Sequence, residues 1–149
     1  MTARTILMLF LTFICLTTAH KANAQVYPPG QFALDGIPVA CGNMPTVVTP
    51  NIPDVAMNNG QAILLNPMVM GNLPTVLNLY WYAHECGHSM VGSDEVRADC
   101  WAIRTGRNQG WFPPQAFELL IQMFRDNPGD MRHPSGPNRV RNMMQCYQS

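Results

Sequence analysis

The chain has 149 residues and a formal net charge of zero at pH 7, with nine basic and nine acidic residues. This length predicts one domain with a modest hydrophobic core. The balanced charge, without a basic stretch, excludes the electrostatic surface that binds nucleic acid.

Residues 1–24 have the three parts of a secretory signal peptide. Arg4 supplies positive charge, residues 6–16 are apolar apart from Thr12, and residues 22–24 form an Ala-Asn-Ala cleavage site. The apolar run is too short for a stable transmembrane helix. We therefore expect cleavage after residue 24 and an exported protein, periplasmic or secreted, without a membrane span. Cleavage would leave seven basic residues, all arginine, and nine acidic ones.

The next predicted elements are an arm and a hairpin. Residues 25–53 contain six prolines and predict an extended arm with one short strand at most. Residues 54–57 and 61–65 predict the two strands of a β-hairpin, since Asn59-Gly60 between them suits a tight turn with positive φ. Asn66-Pro67 would end the second strand.

A central helix is predicted at residues 74–91. Pro74 suits its first turn, and Gly92 suits its C-terminal end. The first half of this segment is apolar nearly all round, so we expect the helix to be mostly buried.

This helix carries the pattern His-Glu-x-x-His at residues 84–88. Histidines four residues apart lie on one helix face, so His84 and His88 can bind a single metal ion. Glu85 projects to the side of that face, where it can act as general base towards a zinc-activated water. The alternative is that the two histidines pack or cap without any metal.

A second helix is predicted at residues 94–108, with Ser93 as its N-cap. Glu95 is the predicted third ligand of a zinc ion held by three side chains. Asp99 then lies one turn later, where it can accept a ring N–H from a ligand histidine and fix its orientation. Asp94 is the alternative third ligand.

Two further helices are predicted at residues 113–124 and 138–147. His133, in the loop before the last helix, is a candidate donor to the oxyanion of a reacting carbonyl, or else it orients that loop. Arg139 is predicted to hold a carboxylate of the second helix or a substrate carbonyl; its alternative is a solvated position on the last helix.

Four cysteines follow the signal peptide, and an even number in an exported chain indicates two disulfides with three possible pairings. We favour Cys86–Cys100, which would join the two metal-binding helices, and Cys41–Cys146, which would tie the arm to the last helix. Buried free thiols are the alternative. A cysteine zinc site is disfavoured because the chain has no Cys-x-x-Cys pair.

Taken together, several segments resemble the minigluzincin metallopeptidases, a group that includes the HtpX-like proteases and the CAAX prenyl endopeptidases. In chain order they are residues 55–65, 83–88, 95–99, 109–117 and 133–135, followed by Arg139. The resemblance implies a minimal zincin fold of the α+β class, helix-dominant, in a single domain at residues 54–149. It also implies zinc bound by His84, His88 and Glu95, with Glu85 as base.

In zincins the strand before the metal-binding helix binds the substrate by backbone hydrogen bonds. Ile63, Leu64 and Leu65 are the residues predicted for that role. The expected function is therefore an exported zinc metalloendopeptidase acting on peptides or unfolded proteins. The alternatives are a catalytically silent, zinc-stabilised binding module and a zinc amidase acting on cell-wall peptides.

Overall fold

Every strand of the described chain precedes every helix, which is an order typical of an α+β protein. The computed structural model describes residues 23–149. Its strands are β1 (Gln25–Tyr27), β2 (Phe32–Leu34), β3 (Ile37–Val39), β4 (Thr46–Val48), β5 (Ala56–Asn58) and β6 (Ile63–Leu65). Its helices are α1 (Pro67–Met70), α2 (Thr75–Val91), α3 (Glu95–Gln109), α4 (Phe117–Phe124) and α5 (Gly136–Gln148). The predicted α+β class is confirmed; the predicted signal peptide lies almost wholly outside the described residues.

The proline-rich segment is not an extended arm, and that prediction is wrong. It contributes four strands, of which β1 and β4 join β5 and β6 in one sheet with the order β1-β4-β6-β5. β2 and β3 form a separate antiparallel hairpin. Most of the prolines flank the strands, as Pro45 and Pro50 flank β4, so they end short strands without preventing them.

The predicted hairpin is confirmed as β5 and β6, which pair antiparallel through Ala56 with Leu65 and Asn58 with Ile63. Gly60 supplies the positive φ of the turn, at 82°. However, β6 also pairs with β4 on its other side, in parallel. Both backbone edges of β6 are therefore used within the sheet.

The predicted substrate-binding role of Ile63, Leu64 and Leu65 is therefore wrong, because a strand with two neighbours cannot accept a third. The prediction failed because it took β4 for part of an arm. The strand at the end of the sheet on this side is β5.

Helix α2 begins and ends as predicted, after Pro74 and before Gly92, whose φ is 79°. The short helix α1 is an addition to the predicted elements, started by Asn66 and Pro67. Helix α3 is capped by Asp94, whose carboxylate accepts the backbone N–H of Arg97, rather than by Ser93 as predicted. No helix among residues 23–149 combines the length and the apolar composition that a bilayer crossing needs.

Helix α2 lies between two hydrophobic clusters. Leu77 and Tyr80 pack with residues of α3, α4 and α5, whereas Leu79 and Tyr82 pack with the sheet. Gly87 lies against the backbone of Ala98 on α3, where a Cβ would approach the Ala98 carbonyl oxygen to 3.1 Å. This close approach places the histidines of α2 beside the carboxylates of α3.

The two disulfides are Cys41–Cys86 and Cys100–Cys146, so the predicted pairing is wrong. The prediction assumed that Cys86 and Cys100 face one another between α2 and α3. Gly87 occupies that contact instead, and Cys86 belongs to the cluster on the sheet side. Cys100 is directed to α5. One bond therefore ties the sheet segment to α2, and the other ties α3 to α5.

Peptide mapping distinguishes the two pairings, because trypsin cleaves after lysine and arginine and no basic residue lies between Lys21 and Arg97. Without reduction, we expect peptide 98–104 linked to peptide 142–149, and peptide 25–97 with an internal bond. Mass spectrometry before and after reduction measures this. The pairing predicted from the sequence would instead join peptide 25–97 to both of the others, which would contradict the structure.

Candidate metal centre

His84 and His88 lie one turn apart on α2 and direct the same ring atom to a common point. Their Nε2 atoms are 3.2 Å apart. The Nδ1 atom of His88 is 2.9 Å from the carbonyl oxygen of Gly92 at the end of the helix. If Nδ1 donates its hydrogen to that carbonyl, the Nε2 lone pair is left free for a metal ion.

Glu95 on α3 brings a carboxylate to the same point. Its Oε2 atom is 3.1 Å from Nε2 of His84, and its Oε1 atom is 3.7 Å from Nε2 of His88. A tetrahedral ion with ligand bonds of 2.0–2.1 Å separates its ligand atoms by about 3.3 Å. The three side chains therefore fit one such ion with little movement.

Glu85 and Asp94 are the two alternatives to Glu95 as a third ligand. His84, Glu85 and His88 also form a group whose ligand atoms all lie within 4.8 Å of one another and could hold a metal ion. Oε2 of Glu85, however, accepts the backbone N–H of Asn58 at 2.7 Å, whereas Glu95 contacts both imidazoles. Asp94, the alternative third ligand, is exposed and caps α3. The geometry favours Glu95 as the third ligand, with Glu85 beside the ion.

Asp99 lies behind His84 and is fully buried. Its Oδ1 atom is 2.8 Å from Nδ1 of His84, although the ring N–H is directed off the line of a good hydrogen bond. Arg139 on α5 donates from Nε to Oδ2 at 2.8 Å and from Nη2 to Oδ1 at 2.7 Å. The hydroxyl of Tyr80, a residue absent from the predicted site, donates to Oδ1 at 2.6 Å.

These contacts determine the pKa values of Asp99 and His84. Burial alone would raise the pKa of Asp99, but Arg139 and His84 lower it to about 2. Burial also lowers the pKa of His84, yet the carboxylates of Asp99 and Glu95 outweigh it and raise that pKa to about 9. The Asp99–Arg139 pair therefore stays ionised near neutral pH, and a metal ion competes with a proton for His84.

His133 reaches the same centre from the loop before α5. Its Nε2 atom is 3.3 Å from Oε1 of Glu95, and its Nδ1 atom is 2.9 Å from Oδ1 of Asp130. Asp130 also accepts the backbone N–H groups of Arg132 and His133, and these bonds lower its pKa to about 2. Asp130 was not predicted from the sequence. The pattern that could have indicated it is an Asp three residues before a His in a loop rich in glycine and proline.

Asn58, at the end of β5, is a further site residue that was not predicted from the sequence. Besides its backbone bond to Glu85, its side chain donates to the carbonyl oxygen of Glu85 at 2.7 Å and to Oγ of Ser89 at 2.8 Å. A polar residue at a strand end only weakly indicates a site residue in a sequence. The partners of Asn58 on α2 are 27 and 31 residues away in the chain, so no local pattern reveals them.

Two grooves meet at the candidate metal ligands. The first, of about 400 Å³, contains Glu85 and His133, and the second, of about 570 Å³, passes Asn58. His88 and Glu95 border both grooves, so the two are contiguous there. The apolar side chains of the first groove are Trp81, Met123 and Phe124. A separate, more apolar cavity of about 290 Å³ beside β3 contains none of the histidines or carboxylates described above.

No protein-family model, no curated protein and no solved structure matches this chain. The resemblance to the minigluzincins therefore stays a prediction from motifs, and the function has to be argued from the geometry of the site.

Replacing Arg139 with methionine tests how far the site depends on its buried ion pair. We expect Arg139→Met to lower the free energy of unfolding by about 3–5 kcal/mol, because it leaves the Asp99 carboxylate buried without its partner. Urea denaturation measures the change. The control is Arg141→Met, the same substitution at an exposed position of the same helix, for which we expect a change of about 0.5 kcal/mol or less. Equal losses in the two variants would contradict the buried pair.

Proposed function

We propose that this protein is a zinc-dependent metallopeptidase that cleaves peptides or unfolded proteins after export. The observation that carries the proposal is the arrangement of His84, His88 and Glu95, whose ligand atoms lie 3.1–3.7 Å apart with the Glu85 carboxylate alongside. Three ligands of this kind leave a fourth position for solvent or substrate, as catalytic zinc sites do.

The donor set supports zinc over the common hard cations. Two imidazole nitrogens and one carboxylate suit zinc, whereas calcium and magnesium are bound mainly by oxygen. When bound, zinc would lower the pKa of a coordinated water and polarise a substrate carbonyl.

Glu85 is the proposed general base. One of its carboxylate oxygens is held by the N–H of Asn58, which leaves the other oxygen to take a proton from the attacking water. The same carboxylate can then deliver that proton to the leaving amine. Its position one residue after His84 keeps it off the imidazole face and beside the reacting atoms.

His133 is the proposed donor to the oxyanion. Asp130 accepts at Nδ1 and fixes the ring, so that Nε2 is directed towards the centre. With a hydrogen on Nε2, a ring held in this way can donate to the charge that develops on the substrate carbonyl oxygen.

Substrate binding is proposed along β5 and through the two grooves. β5 is the end strand of its sheet and lies beside Glu85, so an extended peptide can add to its outer edge along Ala56–Asn58. The grooves meet at His88 and Glu95, which gives a polypeptide room on both sides of the cleaved bond and favours an endopeptidase. The two disulfides and the predicted signal peptide support a periplasmic or secreted location.

The central test is Glu85→Gln, assayed with casein and a quenched peptide library beside the wild type. We expect turnover to fall by about 10²–10⁴-fold while one zinc ion per chain is retained, because the base is lost and the ligands are kept. Metal analysis of His84→Ala and Glu95→Ala provides the matched comparison, in which zinc should be lost.

The outcomes separate the candidate functions. Wild type and Glu85→Gln that both bind zinc but cleave nothing would favour a binding module. Cleavage of cell-wall peptides alone would favour the amidase. Retention of zinc by Glu95→Ala together with its loss from Asp94→Ala would overturn the ligand assignment.

The role of His133 is tested by His133→Ala. We expect kcat to fall by about 10²–10³-fold with zinc content unchanged, since one donor to the oxyanion is removed. Asp130→Asn should give a smaller loss of the same kind, because it weakens the orientation of the ring but keeps the imidazole. Unchanged kcat in both variants would show that the loop is only structural.

A further inference from the structure

Asn58 makes a set of hydrogen bonds that joins the end of β5 to one face of α2. Its backbone N–H donates to Oε2 of Glu85 at 2.7 Å. Its side-chain Nδ2 donates to the carbonyl oxygen of the same residue at 2.7 Å and to Oγ of Ser89, one turn further along, at 2.8 Å. The strand is thereby bonded both to the side chain and to the backbone of Glu85.

The orientation of the Asn58 amide is also determined. Its Oδ1 atom accepts the backbone N–H of Gly60 at 2.8 Å, so the NH₂ group must face the helix. The hairpin turn therefore fixes the side-chain amide of Asn58, and that amide is bonded to α2. The backbone N–H of Asn58 is then directed at the Glu85 carboxylate. These four hydrogen bonds use three atoms of Asn58, namely the backbone N, Nδ2 and Oδ1.

A carboxylate on a flexible side chain needs such support to act as a base. Glu85 is buried, and the one hydrogen bond that the structure gives its carboxylate comes from Asn58. The other oxygen of the Glu85 carboxylate is left for the attacking water. Its direction therefore depends on the position of the Asn58 N–H relative to α2. A displacement of about 1 Å in a reacting group can cost about 10²-fold in rate.

We propose that Asn58 is a positioning residue that sets the orientation of the Glu85 carboxylate through its bonds to α2. The inference rests on the proposed peptidase function. It also connects the base to substrate binding, because Asn58 belongs to the edge strand along which the peptide would lie.

The test compares Asn58→Ala with Asn59→Ala in the full chain. The side chain of Asn59 accepts the N–H groups of Gln61 and Ala62 in the same hairpin turn and has no hydrogen bond to α2, so it is a matched control for damage to the hairpin. We expect Asn58→Ala to lower kcat by about 10–100-fold with KM within about twofold and zinc at one ion per chain. Asn59→Ala should keep kcat within about threefold.

A second variant, Asn58→Asp, keeps the size of the side chain and the acceptor for Gly60 but replaces the donor NH₂ group by an oxygen facing the Glu85 carbonyl. Its kcat should fall at least as far as that of Asn58→Ala. Urea denaturation of all three variants shows whether activity merely follows stability.

The results distinguish the inference from the proposed function. If the wild type is active but Asn58→Ala and Asn59→Ala lose kcat equally, or if Asn58→Asp retains wild-type kcat, the positioning role is overturned and the peptidase stands. If the wild type with bound zinc cleaves no peptide, both are overturned. A loss confined to kcat in the two Asn58 variants supports the role.

Discussion

The buried Asp99 carboxylate is the constraint on which the remaining structure depends. Its charge is removed from water, which is costly unless hydrogen bonds and an opposite charge compensate for it. Arg139 supplies both, and Tyr80 supplies a further donor. These partners lie on α5 and α2, and Asp99 itself lies on α3, so one charge requires three helices to meet. The orientation of His84 follows, because its Nδ1 atom lies against the same carboxylate.

The five residues of the His-Glu-x-x-His segment have separate structural roles. His84 and His88 face the carboxylates of α3, and Glu85 faces the strand β5. The two variable positions are equally constrained: Cys86 is bonded to Cys41 on the sheet side, and Gly87 allows α3 to approach. Helix α2 is thus held by the sheet on one side and by α3 on another, which fixes the arrangement of its buried polar side chains.

Local patterns were sufficient for part of this structure. The hairpin and α2 could be predicted because a turn dipeptide, a proline and a glycine mark their ends, and the position of Glu95 beside the two histidines could be predicted from its spacing to them. Strands β1 and β4 could not, because each has only three residues beside a proline, too few to show a reliable period, and gains its stability from neighbouring strands. The disulfides were mispaired because spacing does not show which way a cysteine points. Asn58 acts through contacts that only the folded chain creates, whereas the bonds of Asp130 to His133 are local and were not recognised in the sequence.

The dependence of Asp99 on Arg139 has a consequence for the order in which the chain folds. Arg139 lies 40 residues after Asp99, so α5 is translated well after both histidines and Glu95. Until it docks, the carboxylate behind His84 lacks its counter-charge, and that imidazole has no rigid support. A chain that ends before α5 is therefore expected to contain all three candidate ligands and yet lack their fixed arrangement, which is completed only when the closing helix docks.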